Sequence, residues 1–348
     1  MGGELRDMKH QRGKQSIVFS NRPTILGAAA VAGVKEGQGP QRKWFDFILE
    51  DDIFGESTWE KAEGKMLKKA MDLALGDGRV PEKQVDLMLG GDLINQLMVT
   101  NYTARDMQIP FLGLYGACST MTESLICGSV FIDGGYASTA LCGASSHYCT
   151  AERQFRMPLE HGNQRPPSAQ WTATAAGSMV LSERRVPGRT IRVSAATIGR
   201  VVDPGIKNVN EMGAAMTPAA VDTLLTHFRD MERTPEEYDL ILSGDLGNIG
   251  KNILIDMMEK QGCPVGDRYN DCGALMYNDS QDVHSGGSGC GCSASIFAGR
   301  VIKEMRQGKW NRVLIMSTGA LLSTISSGQG ESIPGIAHAV VLEAEGGN

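Results

Sequence analysis

The residue type and position that most suggest chemistry belong to Cys118, within Gly116-Ala117-Cys118-Ser119-Thr120. Met121, Leu125, Gly128 and Ile132 follow it at helical spacing, which puts Cys118 at a strand-to-helix turn, with Gly116 as the expected turn residue. At such a helix N-terminus the dipole lowers a thiol's pKa, and free backbone N–H groups can hold an oxyanion. A nucleophilic cysteine also needs a base and an electrophilic second group, usually histidine with a further histidine, asparagine or cysteine. His338, in the apolar segment 336–342, and His147, closing a strand over 139–145, are the candidates. The plainer reading makes His338 a core histidine satisfied by backbone and His147 a strand cap. Asp92 and Asp245 occupy equivalent turns after paired strands and read first as Asx holders of turn backbone.

Two further stretches carry binding chemistry. The loop from His147 to Gln170 holds Arg153, Arg156 and Arg165, interleaved with Tyr148, Phe155 and His161. Guanidinium forks suit carboxylates, and aromatic side chains suit a flat ring. Pairing of these arginines with Glu152 and Glu160, to order the loop or a dimer contact, is the plainer account. The run Gly286 to Cys292, with Ser288 inside it, is a Gly/Ser turn before a buried helix, whose start can hold an anion. Close packing against the Cys118 turn would explain the same glycines.

The elements that position these residues come in two copies. Arg79-Val80-Pro81-Glu82 leads into Val85-Asp86-Leu87-Met88-Leu89-Gly90-Gly91-Asp92-Leu93, and Arg233-Thr234-Pro235-Glu236 leads into Tyr238-Asp239-Leu240-Ile241-Leu242-Ser243-Gly244-Asp245-Leu246. The aspartates that open these strands, 86 and 239, stand 153 positions apart. In the same order, Cys118-Ser119 and Cys292-Ser293 begin matching helix-strand runs 174 positions apart, so the second copy carries 21 extra residues. Two ordered matches indicate duplication. Halves 1–187 and 188–348 follow, each alternating strands and helices around a mostly parallel sheet. Trp59 to Leu75 has helical spacing, capped by Ser57 or Thr58, and Pro218 to Phe228 is its counterpart with Thr217 as cap. Stacked together, the halves give a five-layer α/β/α/β/α body with buried central helices that begin at Cys118 and Cys292.

Composition narrows the classes. The 348 residues are 41% hydrophobic and 21% charged, enough for a core and too uncharged for a disordered chain. The net charge of −6, with no basic stripe, argues against nucleic acid. The charged start, Met1 to Lys14, does not resemble an export signal, and the apolar run 24–34 is too short to span a bilayer, so a soluble cytoplasmic protein is expected. Eight cysteines without a C-x-x-C pair suggest reduced thiols, with neither a disulfide framework nor a metal or other cofactor.

A duplicated half with a cysteine at its buried helix resembles the thiolase and ketoacyl-synthase superfamily. From Gly13 to Glu345 the chain more closely resembles the stage V sporulation protein AD family. The resemblance rests on Gly91-Asp92-Leu93-Ile94-Asn95-Gln96, Thr100-Asn101-Tyr102-Thr103-Ala104-Arg105, Gly116-Ala117-Cys118-Ser119-Thr120, Ser145-Ser146-His147, Thr150-Ala151-Glu152-Arg153-Gln154-Phe155-Arg156, Asp271-Cys272-Gly273, Gly286-Gly287-Ser288-Gly289-Cys290 and Ile333-Pro334-Gly335-Ile336-Ala337-His338. It implies a thiolase-like fold and binding of dipicolinic acid (pyridine-2,6-dicarboxylate), with or without calcium. It further implies a role in uptake of that acid into the developing spore, beside membrane proteins of the same operon at the spore inner membrane, and a homodimer.

The chain departs from the enzymes of that superfamily in three places. The ketoacyl-synthase pattern puts a histidine in the turn after strand 240–242, where this chain has Ser243-Gly244-Asp245-Leu246-Gly247-Asn248. The thiolase Gly-His-Pro motif has only a shifted echo at His284-Ser285-Gly286, and no cysteine lies between Met316 and Gly319. A carboxylate cannot donate to a thioester oxygen as an imidazolium does. The leading expectation is a non-catalytic binder of dipicolinate through Cys118, His147, Arg153, Arg156, Ser288 and His338. A thiolase-like acyltransferase using Cys118, and a structural subunit of a spore membrane complex, stand as alternatives.

Overall fold

The computed structural model describes residues 10–155 and 165–346. In chain order the main elements of the first half are β1 Thr24–Ala32, α1 Trp59–Gly78, β2 Leu87–Gly91, α2 Met98–Met107, β3 Phe111–Gly113, α3 Thr120–Asp133, β4 Thr139–Ser146, α4 Tyr148–Phe155 and β5 Ala175–Ser182. Those of the second half are β6 Thr190–Thr197, α5 Met212–Met231, β7 Leu240–Ser243, α6 Gly247–Lys260, β8 Tyr269–Asp271, α7 Cys290–Ile296, α8 Ile302–Arg306, β9 Arg312–Ala320 and β10 Gly335–Glu345. Helices α7 and α8 are joined by one π-helical turn, Phe297–Val301.

Strand order shows the duplication directly. Outward from the junction of β1 and β6, the first half runs β1-β5-β4-β2-β3 and the second β6-β10-β9-β7-β8, the same order with each number raised by five. The halves meet through the pair Arg192 and Thr24. The strand-opening aspartates perform one task twice: Asp86 accepts from the N–H groups of Ser138 and Thr139, and Asp239 from those of Asn311 and Arg312. Each thereby ties the start of its strand to the start of the neighbouring one.

Three apolar cores lie between and outside the two sheets, because side chains alternate across each strand. Leu141 and Val180 face an outer core with α1, while Cys142, Met179 and Leu181 face the central one. In the second half Leu314 and Met316 face the other outer core with α5, while Val313 and Ile315 point inward. The central core holds Met121 and Leu125 of α3 with Ala294 and Ile296 of α7. This is the expected α/β/α/β/α stack.

Two sequence expectations need correction. Each sheet is mixed: β2 is parallel to β3 and β4, but β4–β5 and β5–β1 are antiparallel, and the second half repeats this pattern. Fully buried strands read as uniform apolar runs whatever their direction, so composition did not reveal it. Helix α5 begins at Met212, and Pro218 lies inside it, where the Thr217 hydroxyl donates to the Gly213 and Gly250 carbonyls. The expected Thr58 cap on α1 is present, its hydroxyl accepting from Lys61 N–H. Among the described residues no helix is long and apolar enough to cross a membrane.

The central helix α7 is seated by glycines. A Cβ on Gly177 of β5 would lie 2.1 Å from the Ala294 carbonyl oxygen, and one on Gly291 would lie 2.1 Å from that of Ala175. Helix and sheet therefore touch backbone to backbone, which fixes where the turn before α7 stands. Gly177→Ala is expected to destabilise the fold by about 1–3 kcal/mol through overpacking. By contrast Gly76→Ala, in α1 with open space around it, should be neutral or stabilising by up to about 1 kcal/mol. Urea unfolding of both variants measures the difference.

Candidate functional site

Cys118 lies in a 3-10 turn, Ala117–Ser119, that leads directly into α3. The strained residue is Ala117, at φ +50°, rather than Gly116, at φ −97°. A non-glycine residue in the left-handed region costs of order 1 kcal/mol and persists only where its surroundings hold it. Here the Ser119 hydroxyl donates to Gly116 O (2.6 Å), and the Thr120 hydroxyl to Ala117 O (2.7 Å). The turn presents Cys118 to a narrow cavity of about 40 Å³. Leu93, Phe155, Met212, Met216 and Leu322 supply apolar walls, and Tyr115, Thr172 and Ser288 supply hydroxyl groups.

The residue facing the thiol is Asp245. Its carboxylate accepts hydrogen bonds from the Thr318 hydroxyl (2.8 Å), the Ser288 hydroxyl (3.2 Å) and Gly289 N–H (2.8 Å). The Cys118 thiol lies close enough for the carboxylate charge to act on it. Gly289, at φ +100°, can adopt no other residue's shape here, since a Cβ would meet the Ser146 hydroxyl at 2.6 Å. The Ser146 hydroxyl donates to Ala173 O (2.7 Å) and accepts from Gly291 N–H (3.1 Å), and the second bond pins this junction of the two halves.

Asp92 and Asp245, equivalent in the repeat, have diverged. Asp92 holds its own turn by accepting from Ile94 N–H, Thr100 N–H and the Thr100 hydroxyl. In the second half that task falls to Asp271, which accepts from Leu246, Gly247 and Ala274 N–H and from the Ser243 hydroxyl. Asp245 is thereby released to face Cys118.

The electrostatics oppose a thiolate. Burial and the neighbouring Asp245 carboxylate push the Cys118 thiol well above its ordinary range, and the Gly289 N–H opposes this only weakly. A helix terminus contributes about 0.3–1 kcal/mol, less than one pKa unit, whereas full burial can shift a group by several units. Desolvation therefore wins. Burial raises the Asp245 carboxyl to about 6. The resting arrangement is a protonated thiol beside a carboxylate, which does not supply a nucleophile.

Of the expected site residues, Cys118 and Ser288 come together on the cavity wall. The others that are described stand elsewhere. The His147 ring is spent on backbone, its Nε2 donating to Asp52 O (2.8 Å) and its Nδ1 accepting from Cys149 N–H (3.2 Å). His338 accepts from Gly199 N–H through Nδ1 (3.1 Å), and burial lowers it to about 4, so it is neutral. Arg153 pairs with Glu60 of α1 and lies over the Trp59 ring, while Glu160 falls outside the described residues. Arg165 lies over Trp171, together with Lys35, while Tyr148 stacks on that ring at 3.8 Å. Arg156 and His161 fall outside the described residues. Among the described lining residues there is no lysine, arginine or histidine. Asp245 was the residue underread, although its place where condensing enzymes carry histidine was the available signal. Among the described residues no His/Cys/Asp/Glu cluster could hold a metal ion.

Behind the cavity sits a second acid pair. Glu63 of α1 accepts from the Ser145 hydroxyl (3.1 Å) and the Thr150 hydroxyl (2.7 Å). Burial first, and then the Asp92 charge, raise it to about 8. Thr150 belongs to α4, whose Ala151 and Phe155 line the cavity, and Asp92 holds the turn that carries Leu93.

Comparison with known proteins agrees with this architecture. The stage V sporulation protein AD family matches residues 13–343. The stage V sporulation protein AD of Bacillus subtilis (strain 168) is 45% identical over 335 residues, covering 96% of this chain and 98% of that protein. Among solved structures, 3-oxoacyl-[acyl-carrier-protein] synthase III from Aquifex aeolicus superposes with a TM-score of 0.56 at 14% identity, over 92% of this chain and 99% of that one. A variant of Xanthomonas campestris OleA gives a TM-score of 0.63 at 10% identity, over 94% and 99%. The structural matches establish a thiolase-like fold.

The acid pair has a measurable signature. With Glu63 raised to about 8 from an ordinary 4.5, the folded chain keeps a proton in that window which the unfolded chain loses. Its contribution to stability is thus full below the ordinary value and falls as pH rises through the folded one. Glu63→Gln is expected to raise the unfolding midpoint at pH 8 and to change it far less at pH 5, as read by thermal melts across that range.

Proposed function

The chain belongs to the stage V sporulation protein AD family, and from that premise we propose that it is a non-catalytic, thiolase-like binder of dipicolinic acid. Its role is to support uptake of that acid into the developing spore. The observation that carries the non-catalytic reading is the Cys118–Asp245 contact. Acyl transfer through a cysteine requires a thiolate and a group that can donate to the thioester oxygen. The cavity offers a thiol held in its protonated form, beside a carboxylate already committed to three donors.

What is left is a pocket suited to a small flat molecule. Phe155 and Leu93, with Met212 and Met216, supply apolar contact for a ring, and the Tyr115, Thr172 and Ser288 hydroxyls supply polar contacts at its edge. The sporulation name of the B. subtilis relative supports the biological setting. The proposal includes a homodimer and docking on membrane proteins of the same operon, which would hold a chain without a described membrane-spanning helix at the spore inner membrane.

One observation keeps the acyltransferase alternative in view: the turn with Ala117 at φ +50° and a helix start behind Cys118 is the geometry of a working nucleophile. Calorimetric titration with dipicolinate should give saturable binding, and no heat at millimolar ligand would end the binding reading. Incubation with short, long and branched acyl-CoA donors should leave the intact mass unchanged. An acyl adduct that disappears in Cys118→Ala would instead restore the enzyme.

A further inference from the structure

We propose that a groove at the far end of α3 from Cys118 binds a single-chain amphiphile with an anionic head, as a free molecule and not as part of a bilayer. It is a second site, about 20 Å along the helix from the Cys118 turn, and it does not depend on the reading given for that turn.

The groove measures about 740 Å³ and lies between the hairpin 11–18, the last turn of α3 and the chain just after β6. That volume is the size of a small-molecule site. Ile17, Phe19, Val130 and Ile198 supply its apolar floor and walls. Phe19 is buried, but Val130 and Ile198 are each 43% exposed. The core stripe of α3 is Met121, Leu125 and Ile132. Val130 lies off that stripe, where a helix facing water ordinarily carries a polar residue. Single exposed apolar residues are common, but two that share the walls of one groove gain by being covered together.

Hydrogen bonds hold the walls in place. Strand Ser16–Val18 of the hairpin pairs antiparallel with 195–197 of β6. The buried Ser16 hydroxyl donates to Asp230 of α5 (3.1 Å) and shares a hydrogen bond with the Thr197 hydroxyl (2.8 Å). Ile198 is fixed through its own backbone, its N–H donating to Gln15 O (2.9 Å) and its carbonyl accepting from the Gln15 amide (3.0 Å). At the base of the hairpin His10 meets Asp133 at 3.3 Å.

The charge at the hairpin turn selects the head group. Lys14 stands exposed there and lines the groove with Arg200. Asp222 accepts from Nε and one Nη of Arg200, which leaves the other Nη uncommitted to it. Asp230, against which Gly13 packs, is balanced by Arg229 and by the Ser16 hydroxyl. Lys14 thus adds a positive charge beside two pairs that are already balanced. A hydrocarbon chain along Ile17, Phe19, Val130 and Ile198, with its anionic head at Lys14, satisfies both features. The groove is recessed between hairpin and helix, so its floor meets a chain that enters it and not the flat face of a bilayer.

Fluorescence titration of the full chain with dansyl-labelled undecanoic acid, below its micelle concentration, should reveal one saturable site from which decanoate displaces the probe. Octanoate, shorter by two methylenes, is expected to compete at least about fourfold more weakly, since one fully buried methylene is worth about fourfold. Uncharged decanol should compete about threefold more weakly than decanoate in the wild type, and as well as decanoate in Lys14→Glu. Ile198→Glu should weaken decanoate at least about tenfold. Val130→Glu repeats that test on the opposite wall should Ile198→Glu fail to fold. In a second arm, vesicles of phosphatidylglycerol should not sediment the protein. No saturable binding, binding that survives the wall variants in the folded protein, or equal competition by octanoate and decanoate overturns the proposal. Vesicle sedimentation that the wall variants abolish overturns it in favour of a bilayer-docking face.

Discussion

The contact between the Cys118 thiol and the Asp245 carboxylate is the constraint on which the reading of this protein turns. It joins the central turns of the two duplicated halves, because Cys118 belongs to the first and Asp245 to the second. It also reverses the usual consequence of placing a cysteine at a helix start. The dipole there favours a thiolate by a fraction of a kcal/mol to about one, while burial beside an anion disfavours it by more. The scaffold of a nucleophile is retained, including the left-handed Ala117, but the charge environment is that of a hydrogen-bonded wall.

Duplication explains how such a contact could arise without disturbing the fold. Asp86 and Asp239 still do the same work, each binding two N–H groups at the start of a neighbouring strand. One turn further on, symmetry ends: Asp92 holds its own loop, whereas Asp271 has taken over the loop of the second half. Asp245 is then free to turn toward the opposite half. The glycine contacts that press α7 onto β4 and β5 supply the rigidity, since they fix Ser288 and Gly289 as donors to it.

Much of the architecture is legible in the amino-acid sequence, because it depends on short-range signals. The paired aspartates that open strands, the Thr58 cap and the helical spacing after Cys118 are local patterns, and together they indicate a duplicated five-layer fold. What escapes is set at long range. The reversed directions of β5 and β10 leave no trace in strands buried on both faces. The early start of α5 at Met212 depends on its packing beside Gly250, not on the cap signal at Thr217. For the site, Cys118 and Ser288 could be found as members of turn motifs. His147 and His338 could not be told from ligands, because the backbone partners Asp52 and Gly199 lie far from them in sequence. Arg153 likewise pairs with Glu60, on a helix distant in sequence.

Burial, reinforced by the Asp245 carboxylate, keeps Cys118 a protonated thiol. The direct measurement is the rate of Cys118 alkylation by iodoacetamide as a function of pH, read site by site by mass spectrometry, in the wild type and in Asp245→Asn. The account predicts slow alkylation through neutral pH, a rise only in alkali beyond that of a free cysteine, and a shift of the profile to lower pH in the variant. Rapid alkylation of wild-type Cys118 below neutral pH, unchanged in Asp245→Asn, would contradict it.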